Sequence, residues 1–432
     1  MRSLPAGSRW IATTKDNRLT KARLHFLLLN LGHFLDHLVM LVFASVAALV
    51  LRFEWGMSYS ELIAYATPGF IAFGIFSLPA GWLADRWSRE GMMVVYFLGI
   101  GISSIACALA EGPMAMAAAL FAVGMFAAIY HPVGLTLVVE GAKRTGMALA
   151  FNGIWGNLGV GGAALLTGLM IDTAGWRSAF FWPGILSLVL GFVYLAVMWN
   201  DVVELPKSRR AAARAAGGKP PRKSYLPQKD RDLYLRITLI VLYTTGISAL
   251  VFQSVTFALP KIFEERLTGI ADTATMIGWA TFVVAAIASL AQIAVGHLLD
   301  TAGPRTMFLI VAGLQAVCFT VMPGLDGWWA LIVAMFFVTG SFGQLPINDY
   351  IIGKTATPEL RASIYGARFV LTFTILAMAL PLIAWIHANW GFDMLFRLLA
   401  VTSASVFIAA SLLPNRVPEP SAEQTPAQVP AE

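Results

Sequence analysis

The stretch LNLGHFLDHLVM, residues 29–40, sets His33, Asp36 and His37 inside an apolar run that reaches from about Leu24 to Leu51. On a helix His33 and His37 lie about 40° apart and Asp36 about 60° to the other side of His33, so all three share one face. Imidazole titrates near pH 6.5 in water, so two imidazoles beside a carboxylate can take up and release a proton close to neutral pH. A blander account is a satisfied polar cluster that only holds helices together. An Asp at the centre of a membrane helix costs roughly 2.5–3.5 kcal/mol, and each Leu, Ile, Phe or Val returns about 0.3–0.6. This run can therefore insert despite the carboxylate, and a charge retained there argues for a use.

The elements that must position this face are membrane helices. The chain of 432 residues is 58% hydrophobic and 12% charged, far from the roughly 45–50% apolar and 25% charged usage of soluble domains. Apolar runs of membrane-crossing length recur twelve times, at about 24–50, 61–84, 91–110, 113–139, 145–171, 177–199, 234–260, 274–299, 305–323, 328–352, 361–387 and 392–413. The net charge of +6 reflects where the basic residues sit. Arg2 to Arg23 precede the first span and Lys207 to Arg231 follow the sixth. With twelve spans these segments share a side with Arg86, Arg89, Lys143, Arg144, Lys354 and Arg361, whereas only Arg52, Arg177, Lys261 and Arg266 fall opposite. The positive-inside bias places both termini in the cytoplasm, and the basic excess reports topology, not a nucleic-acid partner. The polar N-terminus lacks the apolar core of a cleavable signal, so the first span is expected to direct insertion. Cys107 and Cys318, one in each of two spans, read as buried structural thiols.

The chain divides into an N-terminal tail (1–23), a six-helix bundle (24–200), a basic linker (201–233), a second six-helix bundle (234–413) and a polar tail (414–432) expected to be disordered. The bundles share punctuation at nearly constant offset. GWLADR from Gly81 is echoed by GHLLDT from Gly296, 215 residues on; GWRSAFF from Gly175 by GFDMLFR from Gly391, 216 on; and Arg144 by Arg361, 217 on. The loop GWLADRWSRE, residues 81–90, resembles the signature loop of the major facilitator superfamily, and GHLLDTAGPR, residues 296–305, its degenerate second copy; Ser88 and Glu90 depart from the pattern. The resemblance implies an all-α membrane protein of twelve transmembrane helices in two homologous six-helix bundles, placed in a bacterial inner membrane and moving solutes by alternating access. It also implies a conformational latch at Gly81, Asp85, Arg86, Arg89, Arg144 and Asp300, with Asp85 facing a helix N-terminus or a basic partner such as Arg144. Within the superfamily, GHFLDH and the YHPVG of the fourth span resemble the fosmidomycin-resistance-like branch of bacterial drug exporters. The fifth span, GNLGVGGAALLTG, lacks the Gly-Pro pair of many proton-coupled exporters, and its glycines read as sites of close helix packing.

The repeat also pairs polar residues across the two halves: an offset of 216 carries His37 to Gln253 and Asn152 to Arg368. His131 in IYHPVG, Asn152 and Trp155 in FNGIWGNLG, Gln253, Asp349 in GQLPINDY and Arg368 make the candidate substrate site, with His33, Asp36 and His37 as the proton-coupling set. Arg368 needs a partner, and Asp349 is the nearest by sequence. Either the pair is permanent, or Arg368 releases Asp349 to receive an anionic group. Trp155 and Tyr365 suit packing as well as substrate contact, and Arg397 reads as a snorkelling residue. The expected function is proton-coupled secondary transport of a small organic solute, an anion among the options, in the outward direction. The alternatives are a divalent-metal or iron-chelate transporter using the His and Asp cluster, uptake of a small organic acid, or a non-transporting membrane receptor. No Walker motif, nucleophile motif or HExxH pair is present, so neither ATP-driven transport nor enzymatic activity is expected; no cofactor is implied, and the oligomeric state is not fixed.

Overall fold

Apolar runs of this length have one stable solution in a bilayer, a helix that satisfies every backbone group internally. The computed structural model describes residues 7–140, 145–203, 231–355 and 358–414, and among them it is helical throughout, with no strand. Eleven helices are long and apolar enough to cross a membrane: spans 1 (Thr20–Glu54), 2 (Tyr59–Arg86), 3 (Arg89–Ala108), 4 (Pro113–Glu140), 5 (Met147–Ala174), 6 (Trp176–Val197), 7 (Asp232–Arg266), 8 (Ala274–Leu299), 9 (Pro304–Val321), 10 (Gly327–Ile352) and a final helix, Arg368–Ser411. That last helix has 44 residues, about twice what a crossing needs. It breaks at Gly391, where φ is 69° and ψ −173°, so its two arms are spans 11 and 12. The first helix starts at Gly7, inside the segment expected as a tail, and runs on without a break into span 1. The linker from 204 to 230, the tail from 415, Arg144 and the side chain of Asp300 lie outside the described residues.

The turns explain how the two halves come to match. Gly175, between spans 5 and 6, has φ 81° and is the repeat counterpart of Gly391. Both glycines adopt a left-handed conformation that a side chain resists, so the shared punctuation encodes the same turn twice. Elsewhere the starts are standard caps: Ser88 accepts from Gly91 N–H at 3.0 Å, Ser58 and Glu61 form a capping box, and Thr273 accepts from Met276 N–H at 3.2 Å.

Lipid offers no hydrophobic drive for helix association, so spans pair where small residues let backbones approach. The seam between halves runs along spans 5 and 8. A Cβ at Gly161 would meet Ala285 Cβ at 2.7 Å, one at Gly168 the Ala274 carbonyl at 2.1 Å, and one at Gly278 the Ala164 carbonyl at 2.7 Å. Span 1 packs on span 5 in the same way, with Gly159 against the Phe34 carbonyl at 2.2 Å. That contact sets His33 beside Asn152.

Candidate functional site

His33 is fixed from three directions. Its Nδ1 lies 2.8 Å from the Asn152 carbonyl, its ring stacks on Tyr130 at 4.8 Å, and Gly156 stands where a Cβ would come within 2.5 Å of its Nε2. Asn152 donates to Asn30 Oδ1 at 2.9 Å and to the Tyr130 hydroxyl at 3.0 Å, and Tyr130 donates to the Leu29 carbonyl at 2.8 Å. This buried network ties spans 1, 4 and 5 together. Because the Asn152 carbonyl can only accept, His33 carries its proton on Nδ1 and turns an Nε2 lone pair toward His37, whose Nε2 is 3.2 Å away.

His131 enters from span 4 through a local irregularity. Pro132 has no N–H to continue the ladder, and residues Tyr130–Gly134 form a single π turn, a feature frequent at functional sites. The turn brings the His131 ring to 5.4 Å from His33 and 5.6 Å from His37. His131 Nε2 is also 3.5 Å from Asp36. Asp36 is 1% exposed, and neither carboxylate oxygen has a hydrogen-bond partner among the described residues. A buried carboxylate in this setting needs a proton or a cation.

The second charged site lies in the other half. Arg368 is buried and contacts Asp349, the partner expected from sequence, while the Asp349 side chain remains 48% exposed. The guanidinium lies 5.9 Å from the Phe369 ring; Phe369 stacks on Phe373 at 5.8 Å; Phe373 meets Phe73 of span 2 at 4.6 Å; and Phe73 reaches His131 at 5.7 Å. An aromatic row thus connects the Arg368–Asp349 pair to the imidazole cluster across the two halves. The three phenylalanines were not singled out in the sequence, where Phe residues are too common to stand out. Gln253 is buried on span 7 with its Nε2 unpartnered among the described residues. Trp155 packs edge-on against Phe34 and Phe151, 6.5 Å from each.

At the loop between spans 2 and 3, Asp85 pairs with Arg89 at 2.7 Å, and Arg89 also contacts Glu140 at the end of span 4. Arg86 lies over the Trp82 ring at 4.0 Å. Gly81 faces Pro132, where a Cβ would stand 3.3 Å from the proline. Most of the signature stretch is therefore helical, its Gly81–Arg86 part ending span 2 and Arg89 opening span 3, and it touches span 4 at both the Arg89–Glu140 contact and the His131–Pro132 turn. Asp85→Asn is expected to slow transport several-fold with expression and unfolding temperature unchanged, because each exposed pair is worth only about 0–1 kcal/mol; flux assays on membranes with equal protein content check this.

The opposite end of the molecule holds a network that sequence reasoning missed. Arg52, near the end of span 1, contacts Glu264; Lys261 reaches Glu264 at 2.5 Å and Glu265 at 3.3 Å; Glu265 meets His387 Nε2 at 3.1 Å; and Ser60 Oγ lies 3.0 Å from His387 Nδ1. Arg52 and Ser60 belong to one half and the others to the second, so these contacts fasten the halves together at the end away from the linker. Asp172 adds to this closure by accepting from Thr275 N–H at 2.7 Å. The acidic pair in KIFEER is the one signal the sequence offers.

Two six-helix halves around buried titratable groups midway along their spans give the architecture of a secondary transporter. The chain belongs to the Major Facilitator Superfamily, whose family model matches residues 29–273 and 241–431. The chain is similar to a gallate transporter of Pseudomonas putida, 25% identical over 82% of this chain and 84% of that one. It is similar also to the 4-hydroxybenzoate transporter PcaK of Pseudomonas aeruginosa, 24% identical over 89% and 90%. A probable actinorhodin transporter of Streptomyces coelicolor is 31% identical over 38% of this chain and 28% of its own length. Among solved structures, a peptide transporter POT aligns over 90% of this chain and 94% of its own with a TM-score of 0.71 at 14% identity. A bacterial homologue of the human lysosomal transporter Spinster, inward-facing and unoccupied, aligns over 91% and 95% at 0.65 and 13% identity. These two likenesses concern the fold alone.

Proposed function

We propose that this protein is a proton-coupled secondary transporter of a small aromatic carboxylic acid. The observation that carries the reading is the row from Arg368 through Phe369, Phe373 and Phe73 to His131 and Asp36. It offers a guanidinium for a carboxylate, rings for a ring, and a buried acid for a proton, in one continuous path. Relatives named for gallate and 4-hydroxybenzoate, which align over more than four-fifths of the chain, support that substrate class.

In this reading Asp36 takes a proton when the cavity faces one side and releases it on the other, with the three imidazoles relaying it. Arg368 exchanges Asp349 for the substrate carboxylate. The Arg52–Glu264 and Ser60–His387 contacts hold the molecule closed on the outer side, and the Asp85–Arg89–Glu140 contacts belong to the cytoplasmic latch. A carboxylate anion and a proton carried by one cavity move together, which favours symport into the cell over the outward direction expected from GHFLDH and YHPVG. The second reading is export on the same scaffold, which the resemblance of GHFLDH and YHPVG to the fosmidomycin-resistance-like branch implies. Linker and termini lie in the cytoplasm of a bacterial cell in either case.

Purified protein in liposomes separates the outcomes. With acid outside, labelled gallate or 4-hydroxybenzoate is expected to accumulate, and collapse of the pH gradient is expected to abolish accumulation. Accumulation only with acid inside supports export. No gradient-driven movement of any substituted benzoate overturns the proposal.

A further inference from the structure

The imidazole cluster has a chemistry that transport of an organic acid does not use. His33, His37 and His131 each offer one ligand nitrogen, and these atoms lie within 4.8 Å of one another. The Nε2 atoms of His33 and His37, 3.2 Å apart, stand at nearly the ~3.3 Å that separates two nitrogens bound at ~2.0 Å to a tetrahedral metal. His33 also carries the outer contact of a metal-ligating imidazole: its Nδ1–H goes to the Asn152 carbonyl at 2.8 Å, which fixes the tautomer and aims the Nε2 lone pair at the cluster. Its ring cannot swing away, because Tyr130 stacks on one face and Gly156 closes behind it.

A second observation, independent of the imidazoles, comes from the carboxylate beside them. Asp36 is 1% exposed, its oxygens lack hydrogen-bond partners among the described residues, and His131 lies 3.5 Å off. A dication would supply the counter-charge that these neutral neighbours do not. From this arrangement we infer that His33, His37 and His131 form a site for a first-row divalent transition metal of the zinc type, with Asp36 as the buried counter-charge beside it. Three imidazoles suit zinc, cobalt or nickel, whereas calcium and magnesium take all-oxygen shells. All four residues belong to spans 1 and 4 of a single half, so the metal occupies the site without bridging the two halves. The inference rests on the reading that this cluster is the cation site of the transporter; bound metal takes the place of the coupling proton and blocks proton-driven transport.

The test uses full-length protein in detergent, stripped with a chelator and titrated with Co²⁺. The expected result is one Co²⁺ per chain, with the visible absorption of a tetrahedral nitrogen and oxygen site, displaced by Zn²⁺. His37→Ala and His131→Ala are expected to weaken Co²⁺ binding at least tenfold, whereas His25→Ala, which removes an imidazole 2.9 Å from the Tyr194 hydroxyl and outside the cluster, leaves it unchanged. His37→Gln, which keeps the side chain's bulk, serves if the alanine variants unfold. Absence of a stoichiometric cobalt spectrum in the wild type, or unchanged affinity in the His37 and His131 variants, overturns the site. The two readings fail separately: gradient-driven uptake by metal-free protein without Co²⁺ binding removes only the metal site. Co²⁺ binding without any gradient-driven uptake removes the transport reading and leaves the site.

Discussion

Asp36→Asn is expected to abolish uphill accumulation of substrate in liposomes while leaving exchange of substrate across the membrane intact. Each unit of pH difference can sustain about tenfold accumulation per coupled proton, since a decade of concentration is worth 1.4 kcal/mol. The variant's accumulation ratio is expected to fall to one. Asparagine keeps the shape of the side chain and its neighbours but cannot carry the proton, so the two conformations remain accessible without being coupled to the gradient. Stability is expected to hold or rise, because the change removes an acid with no hydrogen-bond partner among the described residues and replacing buried charge by a neutral group is often neutral or stabilising. Accumulation assays beside counterflow on the same vesicles measure both halves of the claim. If accumulation persists, proton coupling belongs to other groups, and the His33–His37–His131 cluster is then a structural network.

Which parts of this were legible in the sequence follows from what each part depends on. The spans were legible because a bilayer demands about 20 apolar residues in a row, and the repeat was legible because Gly175 and Gly391 must both adopt positive φ at equivalent turns. The helical face shared by His33, Asp36 and His37 follows from spacing alone, and the Arg368–Asp349 pair from the scarcity of buried charge. The proposed latch was legible only in part: Asp85 and Arg89, four residues apart, are natural partners, the other expected partner, Arg144, lies outside the described residues, and Glu140 was not foreseen. The aromatic row and the outer network were not legible. Phe73, Phe369 and Phe373 look like lipid-facing bulk until two halves of the chain meet, and Lys261, Glu264, Glu265 and His387 each read singly as interfacial charge. Their meaning lies in contacts between residues more than a hundred positions apart, such as Arg52 with Glu264.

In the proposed reading, that network at the end away from the linker lets the inner sites respond to each other. The seam between spans 5 and 8 is a packed stripe of small residues, which permits rocking without opening a void, while the polar contacts at the outer end must break for the cavity to face that side. Exposed pairs of this kind are worth about 0–1 kcal/mol each and buried ones more. A handful therefore biases the molecule toward closure at the outer end by an amount that substrate and proton binding can offset.

Arg368→Ala is expected to raise the substrate dissociation constant by about tenfold to a hundredfold, the equivalent of the roughly 1.5–3 kcal/mol carried by hydrogen bonds to a charged group. The loss should depend on the substrate's charge. A benzoate loses its guanidinium partner, whereas its methyl ester, held by the ring contacts of Phe369, Phe373 and Phe73, binds wild type and variant alike. Asp349→Asn should act in the opposite sense, because Asp349 competes for the same guanidinium; freeing Arg368 is expected to tighten binding of the acid and leave the ester unaffected. Isothermal titration with the acid and ester pair on both variants reads these four values directly. Equal weakening of acid and ester by Arg368→Ala would identify the residue as structural, a permanent partner of Asp349 that shapes spans 10 and 11. Charge-selective weakening, with the reverse effect at Asp349, would place the carboxylate end of the substrate at this pair, at the far end of the aromatic row from Asp36.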